Sequence, residues 1–311
     1  MTGDGPRQPT GLQHELRWSG QRAVVVQVGG GLREYEVDGF PVLDGYEAGE
    51  LASGGRGQVL MPWPNRLGDG RYRFAGEYFQ LPQNEPALAS AIHGLVRWSG
   101  WERAAGTSSS VRMTHVLWPQ PGYPFALALE AAYELSDAGL TVTLAAENVG
   151  TGPAPYGAGQ HPYVRPSRGG VDGCVLRVPA ERWLEMDERQ LPTGRQLAVA
   201  GTDYDFREPR AIGATRLDTA FTGLVRDADG LARVELASGD GSRRVALWLD
   251  ASCEYVMVFT GDTLAPAARR RSLAVEPMTC APDAFRSGLG LKVLQPGERT
   301  SARWGIQVPL L

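Results

Sequence analysis

Residues 125–148, FALALEAAYELSDAGLTVTLAAEN, hold two alternating runs around a short polar break. Phe125, Leu127, Leu129, Ala131 and Tyr133 fall on one side of an extended chain, and Ala126, Ala128, Glu130 and Ala132 on the other. After Ser136, Asp137, Ala138 and Gly139 the alternation resumes with Leu140, Val142 and Leu144. A strand repeats every two residues and a helix every 3.6, so this stretch reads as two antiparallel strands joined by a tight turn.

The same pattern recurs on both sides of it. VRMTHVLW (111–118) alternates and puts His115 with Val111, Met113 and Leu117. RVELASGDGSRRVALWLD (233–250) reads as two strands around a Ser-Gly-Asp-Gly turn. RYRFAGEYFQL (71–81), YVMVFT (255–260), SLAVEP (272–277), GLKVLQ (290–295) and ARWGIQV (302–308) add more. Short helical turns are expected only within PALASAIHGLV (86–96) and APDAF (281–285), and VGGGL (28–32) reads as a turn. Forty glycines and 22 prolines punctuate the whole chain and leave no stretch with a sustained helical period. The expectation is an all-β protein, a large antiparallel β-sandwich. Residues 1–13 read as a polar N-terminal tail, and 14–311 as one domain.

Composition narrows the function. The chain has 311 residues, 42% hydrophobic and 21% charged, with a net charge of −4. Such a balance has no electrostatic footprint for nucleic acid. Arg269, Arg270 and Arg271 form the one basic block and are expected at a solvated strand end or loop. No apolar run reaches bilayer length, and the N-terminus has no signal-like apolar core. Cys174, Cys253 and Cys280 are too scattered for a disulfide framework or a zinc site, which suits a reducing cytosol. The histidines, His14, His93, His115 and His161, are also scattered, and no metal is expected.

A few polar residues stand in apolar or proline-bounded settings. Arg66 follows Pro62 and Pro64, which stiffen its backbone; it reads as a rim residue or as an arginine capping turn carbonyls. His93 precedes Gly94, which permits a positive φ or a close backbone approach; His93 itself reads as a site residue or a packed core histidine. Trp98 and Trp101 suit either packing or a sugar-stacking face. His161, held extended by Pro162, is a fixed imidazole suited to acid/base work or a surface loop histidine. Glu276 ends an apolar strand before Pro277; desolvation there would raise its pKa toward that of a base, unless it pairs with Arg269 to Arg271. Asp218 is a lone carboxylate among apolar residues, either a ligand contact or a turn cap.

In this order these residues resemble the aldose 1-epimerase (mutarotase) family. The resemblance runs through NRLGDGRYRFAGEYFQLPQNEP (65–86), AIHGLVRWSGWE (91–102), GAGQHPYV (157–164), LDTAFTGL (217–224), AVEPMTCAPDAF (274–285) and LQPGE (294–298). It implies a galactose-mutarotase-like sandwich and a cofactor-free interconversion of α and β anomers of an aldose. By this resemblance Glu276 is the base at the anomeric hydroxyl and His161 the acid at the ring oxygen. His93 contacts the ring oxygen region, and Arg66 and Asp218 hold hydroxyls. Two positions depart from galactose mutarotases: Leu95 stands where a second glycine is usual, and Gln160 where an asparagine is usual. HGLVR (93–97) is closer to the segment of hexose-6-phosphate epimerases, in which case Arg97, with Arg66 and Arg71, meets a phosphate. The 65–86 segment is in the style of the group acting on unphosphorylated sugars. A non-catalytic carbohydrate-binding protein would lack the base or the acid, and both are present. A glycoside hydrolase or lyase would need paired carboxylates, for which Asp218 and Glu276 are formally available.

Overall fold

A computed structural model describes residues 8–166 and 169–308. The hairpin forms as read: Leu127–Ser136 pairs with Gly139–Asn148, and Ser136 faces Gly139 across a turn of Asp137 and Ala138. Gly139 has φ +96°, and a side chain there would meet the Ile306 carbonyl, so this turn needs glycine.

The hairpin sits in a nine-stranded sheet. From one edge its order is Glu102–Gly106, Ser110–Leu117, Leu127–Ser136, Gly139–Asn148, Arg299–Gln307, Arg244–Leu249, Ala232–Ala237, Val175–Arg177 and Arg210–Ala211. A second, eight-stranded sheet runs Pro192–Ala198, Ala180–Met186, Asp218–Leu224, Tyr255–Phe259, Leu273–Met278, Gly159–Gln160 and Val59–Leu60, with Tyr163–Val164 also on Leu273–Met278. Pairing in both is antiparallel. A four-stranded sheet, Gln13–Trp18 to Phe40–Pro41, and three small two-stranded sheets complete the fold. The sole helical elements among the described residues are a 3₁₀ turn, Pro86–Leu88, and one short helix, Ala284–Ser287, both where helical turns were expected. Neither is long enough to cross a membrane.

One hydrophobic cluster draws on both large sheets, with Leu129, Tyr133 and Val142 from the first and Phe221, Val256 and Val275 from the second. The inward face of the opening hairpin is therefore core, as its alternation requires. The strand Leu273–Met278 is buried on both faces, unlike a half-solvated strand. It lies between Tyr255–Phe259 and the short strands on either side of His161, so Glu276 enters the interior with no water-facing side to use.

Of the expected tail, residues 1–7 lie outside the described residues. Thr10 is buried, and the Thr10 and Leu12 carbonyls accept bonds from Val28 and Gln27. The arginine block differs from expectation. Arg270 pairs with Asp172 and Asp262, and Arg271 with the buried Asp44, leaving Arg269 as the exposed member. The Asp262 pair closes the loop before Leu273–Met278 on itself, and the Asp172 and Asp44 pairs tie it to neighbouring loops. They also remove the candidate partners of Glu276, which pairs with none of the three.

Candidate active site

Glu276, His161, His93, Arg66, Asp218 and Arg97 line one pocket of about 340 Å³, near the lower end of the roughly 300–1,000 Å³ usual for small-molecule sites. All six residues singled out in the sequence are thus brought together. Arg71 is not: it is exposed on the hairpin Arg71–Phe74/Glu77–Gln80, bonded to Gln80, outside the pocket.

Glu276 and His161 form the floor. His161 Nε2 is 3.2 Å from Glu276 Oε1, and both side chains are buried. Glu276 Oε2 is buried without a hydrogen-bond partner. A buried charge lacking its full set of bonds is disfavoured, so burial pushes the Glu276 carboxyl well above its ordinary value; Asp218 adds to this and Arg66 opposes it. Burial drives His161 the other way, reinforced by the positive charges of Arg97, Arg56 and Arg66.

The His161 ring is held on several sides. It stacks on Tyr163 at 4.9 Å and 16°, and meets His93 edge-on at 5.3 Å. Arg56 lies over the Tyr163 ring, 4.4 Å from its centre, and is itself paired with Asp44. Gly55 passes so close that an added Cβ would be 2.6 Å from His161 Cδ2. The backbone is pinned too: His161 N–H donates to Gln58 and its carbonyl accepts from Gly57. One residue earlier, the Gln160 side chain donates to Tyr133 Oη at 2.9 Å, linking the site to the nine-stranded sheet.

His93 has φ +65°, and Gly94, at φ +72°, runs against the Met61 carbonyl where a Cβ would fall 2.0 Å away. Both uses foreseen for Gly94, positive φ and close approach, are realised. His93 Nδ1 accepts the Asn65 backbone N–H at 3.2 Å. The neutral ring therefore carries its proton on Nε2, leaving that nitrogen to donate. Burial and the charges of His161, Arg97 and Arg66 keep His93 well below its ordinary value, hence neutral.

Arg66 donates two bonds to Glu85, from Nε at 2.7 Å and from Nη2 at 2.9 Å. It is not a cap for turn carbonyls. Asp218 opens the strand Asp218–Leu224, not a turn, and its partly buried carboxylate makes no hydrogen bond among the described residues. Burial raises its pKa, and Arg66 opposes the rise. Arg97 Nη1 donates to Gln58 Oε1 at 3.2 Å. The two tryptophans part company: Trp101 is core at 1% exposure, and Trp98 lines the pocket rim at 53%.

Glu85, Gln58, Tyr163 and Gly55 escaped the sequence reading as site residues. Glu85 stood in the quoted 65–86 segment and Tyr163 in 157–164, so position in a motif was a signal for both; Gln58 and Gly55 carried none. The ligating atoms of His93, His161 and Glu276 lie within 4.8 Å of one another, the one such trio among the described residues. Histidines scattered in sequence thus do converge. With Arg66 and Arg97 beside them, the set meets a cation unfavourably and suits a neutral polar ligand.

Comparison with known proteins assigns the family and the fold. The sequence matches the profile of the aldose 1-epimerase family over residues 13–307. It is 37% identical over 277 residues to the uncharacterized protein YihR of Escherichia coli K12, covering 89% of this chain and 86% of that one. It is 29% identical over 184 residues to the galactose mutarotase of Rattus norvegicus, covering 56% of this chain and 51% of that protein. The fold superposes on a GalM/aldose epimerase homologue from C. elegans with TM-score 0.85 at 16% identity, covering 96% and 100% of the two chains. Against the galactose 1-epimerase of Lactobacillus acidophilus NCFM the TM-score is 0.76 at 20% identity, covering 96% and 95%. The chain belongs to the aldose 1-epimerase family and is an isomerase acting on sugars.

Proposed function

We propose that the enzyme interconverts the α and β anomers of an aldopyranose through proton transfers by Glu276 and His161. The observation that carries this reading is the buried carboxylate–imidazole contact of 3.2 Å on the floor of a pocket of sugar size.

Opening a cyclic hemiacetal removes one proton from the C1 hydroxyl and delivers one to the ring oxygen. The Glu276 carboxylate takes the first while the C1–ring oxygen bond breaks and C1 becomes a carbonyl. The protonated His161 gives its proton to the departing ring oxygen. Rotation about C1–C2 presents the other carbonyl face. Closure reverses both transfers and returns each group to its starting state. The pair must hold one proton in total. Its opposed shifts favour this: the carboxyl binds a proton readily, the imidazole resists a second, and the two differ by one transfer across the contact.

The other residues suit neutral hydroxyls. Neutral His93 donates through Nε2 near the ring oxygen, and the Arg66 donors and Asp218 acceptors hold ring hydroxyls. Asp218 and Glu276 as a hydrolase pair is the weaker reading, because Glu276 is coupled to an imidazole rather than set across a bond from a second carboxylate. The three free, buried cysteines support a reducing compartment.

The test is anomer exchange, followed by polarimetry or exchange NMR on freshly dissolved aldoses. Accelerated exchange by the wild type, lost in Glu276→Gln, is the expected result. No acceleration for any aldose would refute the reading.

A further inference from the structure

Residues 53–58, SGGRGQ, form a turn that grips the acid of the catalytic pair. Gly54 accepts the Tyr163 hydroxyl at 2.8 Å, and Tyr163 stacks on the His161 ring. Gly55 lies against that ring. Gly57 and Gln58 bond the His161 backbone, and the Gly57 carbonyl also accepts the Gln160 amide at 3.1 Å. At the centre of the turn is Arg56, buried and outside the sugar pocket. Its Nη1 donates back to the Ser53 carbonyl at 3.0 Å and to Ser53 Oγ at 3.2 Å, which closes the turn. Its Nη2 donates to Asp44 Oδ2 at 3.2 Å.

Asp44 is also buried, and it gathers more than Arg56. Arg271 Nε donates to it at 3.0 Å and Ser272 Oγ at 2.8 Å. Ser272 directly precedes Leu273–Met278, the strand that carries Glu276. Arg165, which directly follows Tyr163–Val164, comes within 3.6 Å, and the Asp44 N–H donates to the Tyr163 carbonyl at 2.8 Å. One carboxylate thus joins the turn around His161 to the start of the Glu276 strand. Desolvation offsets most of the attraction in a buried ion pair, so such a cluster contributes little net stability. What it does supply is fixed geometry, on which proton transfer depends steeply.

We propose that Arg56 and Asp44 are positioning residues for anomer exchange: they lock the 53–58 turn onto the Glu276 strand and so set the contact through which His161 and Glu276 share a proton. This rests on the epimerase reading above. Neither residue touches the sugar; both act through Tyr163, the turn and the strand. Their charges act on the pair as well. The groups facing His161 are Glu276, His93, Tyr163, Arg66, Arg97 and Arg56, and Asp218 acts on Glu276. Losing the Arg56 cation makes the pair hold its protons more tightly, and losing the Asp44 anion makes it hold them less tightly.

The experiment compares wild type, Arg56→Gln, Arg56→Lys and Asp44→Asn. Exchange NMR on glucose, galactose and their 6-phosphates selects the fastest sugar, for which kcat, KM and the pH profile of kcat/KM are measured. Arg56→Gln is expected to lower kcat by about 10- to 100-fold, with KM changed far less. Both limbs of its profile should move to higher pH by roughly half a unit or more. Arg56→Lys keeps the charge but not the fork that bridges Ser53 and Asp44, so its limbs should stay near wild type while kcat recovers only in part. Asp44→Asn should lower kcat and move both limbs to lower pH. A role in stability alone would not move the limbs in opposite directions. The proposal is overturned if Arg56→Gln matches wild type in kcat and in both limbs, or if Arg56→Gln and Asp44→Asn move the limbs the same way. Should Asp44→Asn fold poorly, the two Arg56 variants decide, and equal limbs in Gln and Lys overturn the proposal. If wild type exchanges no sugar faster than Glu276→Gln does, the epimerase reading itself fails and takes this proposal with it.

Discussion

His161 Nε2 stands 3.2 Å from Glu276 Oε1, and burial pushes the two groups in opposite directions, the carboxyl up and the imidazole down. At low pH the pair gains a second proton and the base is lost. At high pH its last proton leaves and the acid is lost. A bell-shaped dependence of kcat/KM on pH is expected, with both limbs belonging to the pair rather than to either residue. Rates measured across about pH 4–10 in one buffer series check this; a profile with a single limb would contradict it.

Glu276→Gln and His161→Ala each remove one proton transfer while leaving the pocket walls in place. The expected loss is in kcat, about 10²- to 10⁴-fold, with KM changed far less. Saturation kinetics on one aldose separate the two. A loss confined to KM would assign these residues to binding alone.

Stability should move the other way. The unfolded Glu276 titrates near 4.5 and the folded one well above it. Between those values the folded chain binds more protons, so this group's contribution falls as pH rises through the folded value. Glu276→Gln removes that loss, because the amide does not ionise. Its melting temperature should exceed the wild type's by a few degrees near pH 8, and the gain should vanish near pH 4, where the carboxyl is protonated in both states. Equal melting temperatures at both pH values would show that the carboxylate is not strained.

Gly55→Ala places a methyl 2.6 Å from His161 Cδ2 at a residue with φ +80°. A cost of about 1–3 kcal/mol is expected, together with reduced kcat as the imidazole is displaced. Thermal melts and kinetics on the same preparation test it. Normal kcat in a destabilised protein would show that the ring keeps its place without Gly55.

Glu85→Gln leaves Arg66 without its carboxylate while keeping the side-chain size. The freed guanidinium loses its orientation toward the sugar, so KM should rise by about tenfold, with a smaller change in kcat. Initial-rate kinetics will show whether the effect is in KM; an unchanged KM would separate Arg66 from substrate binding.

Much of the architecture was legible from residue order. The hairpin at 125–148 could be read because a strand's period of two is a local property, as is a glycine at a turn. The helical turns at 86–96 and 281–285 were legible for the same reason. The fate of Arg269 to Arg271 was not: Asp262 is in their own loop, but Asp44 and Asp172 come from loops that meet it only in the folded chain. Nor could alternation show that Leu273–Met278 is buried on both faces, because that depends on what packs over it.

By itself the sequence determined that the chain is built of short antiparallel strands, and which six polar residues to examine. Tertiary structure alone decided that Glu276 and His161 share a contact, that Arg66 pairs with Glu85, and that Arg97 is held by the amide of Gln58. The reason is physical. Strand periodicity depends on neighbours along the chain, whereas a charge's energy depends on distance and desolvation, which are set by residues remote in sequence.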